Sequence, residues 1–200
     1  IGGGTTGITV IALAGIVCDQ SIRVAGDEFT ADIMEALRRY HSLLIGERTA
    51  EQIKIQVGAA MKDIDNPPDD YAVNGRDLVT GIPKQILVSY QEIAEALDKS
   101  IFKIEEAILK ALEQTPPELA ADIYRRGLYI TGGGALLRGL DKRLANKIKL
   151  PVHVADDPLK SVVRGTGIAL KNYSKYPFVM RKKKKGTRVK AQVYKSCICK

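Results

Sequence analysis

The chain has 200 residues, 45% hydrophobic and 27% charged, which is typical of one globular domain or two small ones. Its longest apolar stretch, Ile8 to Val17, is far shorter than the roughly 20 residues of a membrane span, so we expect none. The net charge is +8, but residues 181–200 hold nine lysines and arginines and no acid. The rest of the chain is near neutral, which argues against a nucleic-acid-binding surface and predicts no nucleic-acid partner.

Cysteine and histidine usage indicates neither a disulfide framework nor a zinc site. Cys18 lies in a strand-like segment and is predicted to be a buried thiol, whereas Cys197 and Cys199 form a Cys-x-Cys pair at the end of the sequence. His41 and His153 lie in helix-like and strand-like segments, far from further ligands. This cysteine content is typical of proteins in the reducing cytosol. The sequence opens on Ile1 without Met or a basic leader, so we expect no signal peptide and part of a longer protein.

The first third of the chain predicts a hairpin followed by two helices. Ile8–Leu13 and Ile16–Val24 are rich in β-branched residues around the turn signal Gly15. A helix is predicted from Gly26, because acids precede apolar residues at helical spacing. Those apolar residues are Phe29, Ile33, Leu37, Tyr40 and Leu44. A shorter helix is predicted with Thr49 as its N-cap, because Gln52 follows three residues on.

The middle of the chain predicts a loop, a small β unit and a long helix. Residues 61–70 are polar and contain Pro67-Pro68, which is typical of a loop. Tyr71–Val88 reads as a β unit with a turn at 81–83. Ser89 and Glu92 then have the spacing of a capping box, which predicts the start of a helix that continues to about Glu113.

The last third alternates helices and strands. Helices are predicted over Glu118–Arg125, from about Ala135, and over Lys160–Asn172, with strands at Leu128–Thr131 and Val152–Ala155. This alternation predicts an α/β fold, with the more mixed middle as a separate subdomain. Residues 181–200 form a basic segment without apolar periodicity, which we predict to be disordered.

Two triple-glycine segments are the candidates for chemistry. Gly2-Gly3-Gly4 is followed by Thr5 and Thr6, and Gly132-Gly133-Gly134 lies between a predicted strand and a helix. Glycine permits positive φ, which we expect at Gly133, and leaves backbone N–H groups open to an anion. Either segment alone could equally be a simple turn. Neither has the lysine of a Walker loop or the spacing of a Rossmann fingerprint.

The two segments together have the arrangement of the actin, sugar kinase and heat-shock chaperone ATPase superfamily. Six short segments, which include these two and occur in matching order, closely resemble the MreB family of bacterial actin homologues, specifically its C-terminal half, over residues 1–181. These segments are Gly2–Thr6, Ser21–Asp27, Ile45–Glu51, Gly75–Leu78, Thr115–Ala120 and Thr131–Arg138.

The resemblance implies an actin-like, ribonuclease H-like ATPase lobe, with residues 1–29 and 90–180 as its α/β core and residues 30–89 as an inserted α+β subdomain. It implies ATP and Mg²⁺ as cofactors. The family's metal-binding Asp would precede Ile1, so no metal ligand is assigned within the chain. Thr5 or Thr6 would lie near the terminal phosphate. The other implied nucleotide contacts are Gly2, Gly3, Gly4, Glu51, Gln52, Ile53, Lys54, Gly133, Gly134, Ala135 and Leu136.

The function implied by the resemblance is that of a filament-forming cytoskeletal protein that sets cell shape. Its partners would be copies of itself, the membrane surface, and inner-membrane proteins of cell-wall synthesis and shape. It would be located in the cytoplasm, at the inner face of the cell membrane. ATP hydrolysis would belong to the intact protein and be absent from this chain alone, which lacks the family's first phosphate loop. The alternatives are another ATPase of the superfamily, such as a chaperone or a sugar kinase, and a nucleic-acid-binding protein that uses the basic tail.

The basic tail yields a first prediction. Its like charges repel one another and it offers few apolar side chains to bury, so a protein ending at Arg181 should be as stable as one ending at Lys200. Thermal melts of the two forms test this. A loss of more than about 1 kcal/mol on truncation would show that the tail packs against the fold.

Overall fold

The structure is a computed structural model that describes residues 1–12 and 15–172. The predicted disordered tail, with Cys197 and Cys199, lies outside these residues, as does Leu13. The described part contains strands β1 (Thr6–Ala12), β2 (Gly15–Ile22), β3 (Leu43–Leu44), β4 (Tyr71–Asp77), β5 (Pro83–Val88), β6 (Leu128–Ile130) and β7 (Val152–Val154). Its α-helices are α1 (Gly26–His41), α2 (Glu47–Val57), α3 (Tyr90–Glu113), α4 (Ala120–Arg126), α5 (Leu140–Ile148) and α6 (Ser161–Lys171), with 3₁₀ turns at Pro117–Leu119 and Gly133–Leu136.

The strands form three small sheets. β1 and β2 pair as the predicted antiparallel hairpin, and the register shifts between Val10 and Ile11. β3, β4 and β5 form an antiparallel sheet. β6 and β7 pair in parallel, and the chain that connects them contains α5. This mixture of helices with parallel and antiparallel strands confirms the predicted α/β class. None of the described helices is both long enough and apolar enough to cross a bilayer.

The turn between β4 and β5 is held by the carboxylate of Asp77. It accepts the backbone N–H groups of Val79 at 2.7 Å and Thr80 at 3.2 Å. These hydrogen bonds favour the charged carboxylate and lower the pKa of Asp77. Gly81 completes the turn with a φ of 76°, so the predicted turn is confirmed.

Helix α1 ends earlier than its apolar spacing predicts. The helix stops at His41 because Ser42 adopts a left-handed conformation with φ 51°, and its N–H caps the Leu37 carbonyl. Leu44 therefore lies on β3, opposite Arg76, and not on the helix. Tyr40 is 50% exposed, so the core-facing stripe of α1 ends at Leu37.

The starts of the next helices correct two further predictions. Thr49 is not the N-cap of α2; Gly46 is, and its carbonyl accepts the N–H groups of Thr49 and Ala50. The helix predicted from Ala135 is a 3₁₀ turn, and α5 begins only at Leu140. The N-terminus of an α-helix therefore does not follow the second glycine segment directly.

The predicted start of α3 is confirmed, although only half of the capping box forms. The Ser89 side chain accepts the N–H of Glu92 at 3.3 Å. The Glu92 carboxylate lies 2.5 Å from Nε2 of His41, so it joins α3 to the end of α1 and does not reach back to Ser89.

One hydrophobic cluster joins α1, α2, α3 and α5. It takes residues from both the predicted core lobe and the predicted insertion, and the boundaries of those subdomains stay a prediction. Cys18 is 9% exposed, which confirms the predicted buried thiol. The largest fully buried side chains on these helices are Phe29, Ile33, Leu37, Ile53, Ile93, Leu97, Ile101, Ile104, Leu140 and Leu144.

A buried ion pair ties α3 to α5 at the edge of this core. Nε of Arg143 donates to Glu105 at 2.6 Å, and Nη1 contacts Asp98 Oδ1 at 2.8 Å and the Ala60 carbonyl at 3.0 Å. The Glu105 side chain is 4% exposed and that of Arg143 is 16% exposed. Because Glu105 has lost nearly all contact with water, its charge depends on Arg143 for compensation.

Removal of this pair is expected to destabilise the fold. Glu105→Ala removes the buried partner of Arg143, which keeps only the exposed Asp98 carboxylate, and should lower the free energy of unfolding by roughly 3 kcal/mol. The matched control is Glu106→Ala on the exposed side of the same helix turn, which should change stability by less than about 0.5 kcal/mol. Urea unfolding of both variants measures the difference. Equal stabilities would show that the pair contributes nothing.

Candidate functional site

The first glycine segment lies across the N-terminus of α1. The N–H of Gly2 donates to the Thr5 carbonyl at 3.0 Å and closes a tight loop. The carbonyls of Gly2 and Gly3 accept the N–H groups of Gly26 at 3.0 Å and Asp27 at 2.8 Å. The loop backbone thereby satisfies two N–H groups of a helix that has no side-chain cap.

This arrangement fixes the direction of two further N–H groups. In a trans peptide the carbonyl and the following N–H point in opposite directions. Since the Gly2 and Gly3 carbonyls face α1, the N–H groups of Gly3 and Gly4 face away from it. Neither donates to another residue in the described part of the chain, and both glycines are exposed. Two adjacent N–H groups on one side of a loop can bind an anion.

The two threonines after this loop have different surroundings. Thr6 is 2% exposed, and its hydroxyl donates to the Val24 carbonyl at 2.6 Å, which ties β1 to the segment that leads into α1. Thr5 is exposed on the loop itself. Of the two predicted candidates, Thr5 therefore has the hydroxyl that a ligand can reach.

Asp27 is a site residue that the sequence treated only as a helix-start acid. A Cβ atom built on Gly3 or on Gly4 would lie 3.4 Å from a carboxylate oxygen of Asp27. The carboxylate therefore lies beside the open loop. The sequence places Gly26-Asp27 directly after a predicted strand. This local pattern does not indicate that Asp27 lies beside a loop more than twenty residues earlier in the chain.

Glu51 and Lys54 lie next to this helix start, on the face of α2 that packs against α1. Nζ of Lys54 is 2.5 Å from Oε2 of Glu51 and donates to the Gly26 carbonyl at 2.9 Å. Thr30 lies between them, with its hydroxyl 3.0 Å from Glu51 Oε2 and 3.1 Å from Lys54 Nζ. The predicted pair is thus linked through Gly26 to the first glycine loop.

The other two residues predicted on α2 are placed differently. Gln52 is exposed on the solvent side of the helix. Ile53 is 0% exposed and belongs to the hydrophobic cluster, so its side chain packs within the core. A helix presents i and i+3 on one face and i+2 on another, which explains why Glu51 and Lys54 separate from Ile53.

The second glycine segment packs against Ile1, the residue before the first. Gly134 N–H donates to the Ile1 carbonyl at 3.2 Å, and the Ile1 nitrogen donates to the Thr131 carbonyl at 2.7 Å. A Cβ atom on Gly132 would overlap the Ile1 carbonyl, and one on Gly134 would overlap the Ile1 side chain. The two glycine segments, about 130 residues apart in sequence, therefore meet at Ile1.

The backbone of this segment corrects one prediction. The positive φ of 88° is at Gly132, whereas Gly133 has none. A Cβ atom on Gly133 would meet only Leu159, at 3.5 Å. Gly133 is exposed and has room for a Cβ atom. In the turn that follows, Ala135 is buried and Leu136 is 56% exposed.

The chain after this turn joins the segment to the end of α2. The Arg138 carbonyl accepts the N–H of Ala60 at 2.8 Å, and Arg138 Nη1 donates to the Ile55 carbonyl at 3.3 Å. Each glycine segment is thus fixed to one of the two helices that hold Glu51, Lys54 and Thr30. The result is an open surface. It is bordered by the backbone N–H groups of Gly3 and Gly4, the carboxylates of Asp27 and Glu51, and the ammonium group of Lys54.

Other features of the described chain lie elsewhere. Two surface cavities of about 540 and 550 Å³ are lined by residues of β2, α3, α5 and the segment after α2, and by none of the predicted contacts. Within residues 1–12 and 15–172, no group of three His, Cys, Asp or Glu side chains could hold a metal ion. Among the predicted contacts, the residues of the two glycine loops are joined to each other through Ile1. Glu51 and Lys54 are joined to the first loop through Gly26.

Comparison with known proteins identifies clear relatives. The family model described as "MreB/Mbl protein" matches residues 1–177. The cell shape-determining protein Mbl of Bacillus subtilis (strain 168) is 49% identical over 177 residues, which cover 88% of this chain and 53% of Mbl. The cell shape-determining protein MreB of Escherichia coli (strain K12) is 47% identical over 173 residues, 85% of this chain and 48% of MreB. The chain spans about half the length of these curated relatives.

A solved structure supports the same relationship. The crystal structure of MreB5 of Spiroplasma citri bound to AMPPNP is similar to this chain with a TM-score of 0.83 and 40% identity. The match covers 89% of this chain and 53% of that one. The predicted actin-like α/β fold is therefore confirmed.

The two loop glycines should respond differently to a methyl group. Gly132→Ala is expected to lower the free energy of unfolding by roughly 2 kcal/mol, because it combines an unfavourable φ with a clash against Ile1. Gly133→Ala should stay within about 0.5 kcal/mol of wild type, because its Cβ has room. Denaturant unfolding compares the two. Equal losses of unfolding free energy in the two variants would contradict the close contact between Ile1 and Gly132.

Proposed function

Since this chain belongs to the MreB/Mbl family, we propose that it forms one side of the ATP site of a filament-forming, actin-like protein that determines cell shape. The observation that supports this proposal is the meeting of the two glycine segments at Ile1, with Glu51 and Lys54 linked to the first segment through Gly26. Separately, each segment could be a turn. Together they surround one surface with donors that suit phosphates and a carboxylate that suits a sugar hydroxyl.

The proposed contacts follow the chemistry of each group. The N–H groups of Gly3 and Gly4, with the Thr5 hydroxyl, would bind the β- and γ-phosphates. Glu51 and Lys54 would face the ribose and the adenine. Gly133–Leu136 would cover the nucleotide from the opposite side, where the lack of a side chain at Gly133 leaves room. The nucleotide class is supported by the relative MreB5, whose crystal structures are bound to AMPPNP and to ADP.

Mg²⁺ fits this surface because its preferred ligands are oxygen atoms. The Asp27 carboxylate beside Gly3 and Gly4, and the exposed Thr5 hydroxyl, are oxygen groups at the phosphate side. They would hold the ion directly or through its water shell. The ion would neutralise phosphate charge, which the described loop does only through backbone dipoles. ATP hydrolysis coupled to polymerisation would be an activity of the whole protein.

The remaining parts of the proposal rest on family membership. The protein would assemble with copies of itself into filaments at the cytoplasmic face of the membrane and would act with inner-membrane proteins of cell-wall synthesis and shape. A chaperone ATPase, a sugar kinase or a nucleic-acid-binding protein is not favoured, because the curated relatives above are cell shape-determining proteins.

The test is ATP binding by the full-length protein that contains this sequence. Gly133→Val should weaken ATP binding by at least about tenfold, or about 1.4 kcal/mol, because the added side chain occupies the open space over the loop. The matched control is Gly167→Val on α6, a helix that holds none of the predicted contacts, where a Cβ atom meets nothing within 4 Å. Isothermal titration and circular dichroism are measured on the same samples.

Two results would contradict the proposal. The first is a folded wild-type protein without measurable affinity for ATP. The second is a folded Gly133→Val variant that binds ATP within about twofold of wild type, which would remove the second glycine loop from the site.

A further inference from the structure

Thr30 has more potential hydrogen-bond partners than one hydroxyl can serve at once. It lies on α1 and is 8% exposed. Its Oγ1 atom is 3.0 Å from the Gly26 carbonyl, 3.0 Å from Glu51 Oε2 and 3.1 Å from Lys54 Nζ. An ammonium group only donates, so Thr30 accepts from Lys54 and has one hydrogen left to donate. That hydrogen can go to Gly26 or to Glu51, but not to both.

The two charged partners of Thr30 differ in their freedom. Nζ of Lys54 has three N–H donors and three neighbours that accept, namely the Gly26 carbonyl, the Thr30 hydroxyl and Glu51. Its side chain is 14% exposed, whereas that of Glu51 is 50% exposed. Lys54 is therefore held by the protein, and Glu51 is the more accessible member of the pair.

We propose that Thr30 is a positioning residue for the nucleoside part of the nucleotide. Its hydroxyl holds Lys54 and orients the Glu51 carboxylate, and it changes its own hydrogen-bond partner when a sugar hydroxyl binds Glu51. This inference rests on the nucleotide site proposed above and deepens it, because it names the group that prepares Glu51 for a ribose.

The exchange leaves no buried polar group unpaired. Without nucleotide, Thr30 donates to Glu51 and accepts from Lys54. With nucleotide, a ribose hydroxyl donates to Glu51, and Thr30 turns its hydrogen to the Gly26 carbonyl, four residues earlier on the same helix. Such bonds to the i−4 carbonyl are a normal arrangement for threonine in helices. Both states therefore avoid the cost of an unsatisfied buried hydroxyl.

The geometry confines this role to the nucleoside. Thr30 contacts α2 and the Gly26 carbonyl. The loop N–H groups proposed for phosphate belong to Gly3 and Gly4, and their direction is set by the hydrogen bonds that the Gly2 and Gly3 carbonyls accept from Gly26 and Asp27. Loss of the Thr30 hydroxyl should therefore weaken binding of ATP and leave binding of a bare phosphate chain unchanged. A residue that only stabilised the fold would affect both equally.

The experiment uses the full-length protein and displacement of a fluorescent ATP analogue by ATP, by 2′,3′-dideoxy-ATP and by tripolyphosphate. Thr30→Val keeps the side-chain shape and removes the hydroxyl, whereas Thr30→Ser retains it. The matched control is Thr166→Val on α6, since Thr166 makes the same kind of i−4 bond, to Val162 at 2.8 Å, away from the site. Thermal melts accompany each variant.

Thr30→Val is expected to weaken ATP binding by about three- to tenfold, the range for one hydrogen bond. Tripolyphosphate should bind as in wild type, and the loss should shrink for dideoxy-ATP, which lacks the ribose hydroxyls. Thr30→Ser should restore ATP binding to within about twofold, and Thr166→Val should change nothing. If Thr30→Val melts below the assay temperature, Thr30→Ala removes the same hydroxyl and takes its place.

Three results would overturn the inference. Equal losses for ATP and tripolyphosphate would make Thr30 a merely structural residue. Wild-type ATP affinity in Thr30→Val, together with weakened binding in Glu51→Gln, would reject Thr30 and leave the proposed site intact. A wild-type protein that binds no ATP would reject the proposed function itself, and the inference with it.

Discussion

The N-terminus of α1 is satisfied by main-chain carbonyls of the first glycine loop, and the geometry of the candidate site depends on this contact. The helix has no side-chain cap, and its N–H groups at Gly26 and Asp27 would be unpaired without the Gly2 and Gly3 carbonyls. Because a trans peptide opposes its carbonyl and N–H, these same bonds turn the N–H groups of Gly3 and Gly4 outward. One set of hydrogen bonds therefore caps the helix and forms the surface that we propose for anion binding.

Gly26 links the first glycine loop to α2 through hydrogen bonds. Its N–H binds the Gly2 carbonyl, and its own carbonyl accepts Lys54 Nζ at 2.9 Å. A Cβ atom on Gly26 would lie 3.3 Å from the Gly2 carbonyl and 3.4 Å from Lys54 Nζ, so a larger residue would press on both. The first glycine loop and the Glu51–Lys54 pair thus contact the same residue, the loop through its N–H and Lys54 through its carbonyl.

Ile1 performs the corresponding function for the second glycine segment. Its carbonyl and side chain occupy the space beside Gly132 and Gly134, where no Cβ fits. Gly133 between them carries no such constraint and faces outward. Two glycines of this triplet therefore serve chain packing, and the middle one leaves room for a ligand. The triplet combines both of the roles that a glycine-rich turn can have.

The sequence by itself determined the short-range features of this protein. The β1–β2 hairpin, the Ser89 cap of α3 and the i, i+3 placement of Glu51 and Lys54 follow from local periodicity, capping residues and helix geometry. The resemblance of its ordered motifs to the MreB family supplied the actin-like fold. These features need only neighbouring residues, or a known pattern, to be recognised.

Tertiary structure alone decided which residues of these elements face the site. The buried hydroxyl of Thr6, the packing of Ile1 against Gly132 and the carboxylate of Asp27 beside Gly3 all depend on contacts distant in the chain. Thr30 is an ordinary helical threonine in the sequence, and only the packing of α2 on α1 brings Glu51 and Lys54 to its hydroxyl. Local patterns carry no record of such contacts, because they arise from how separate elements fill a common core.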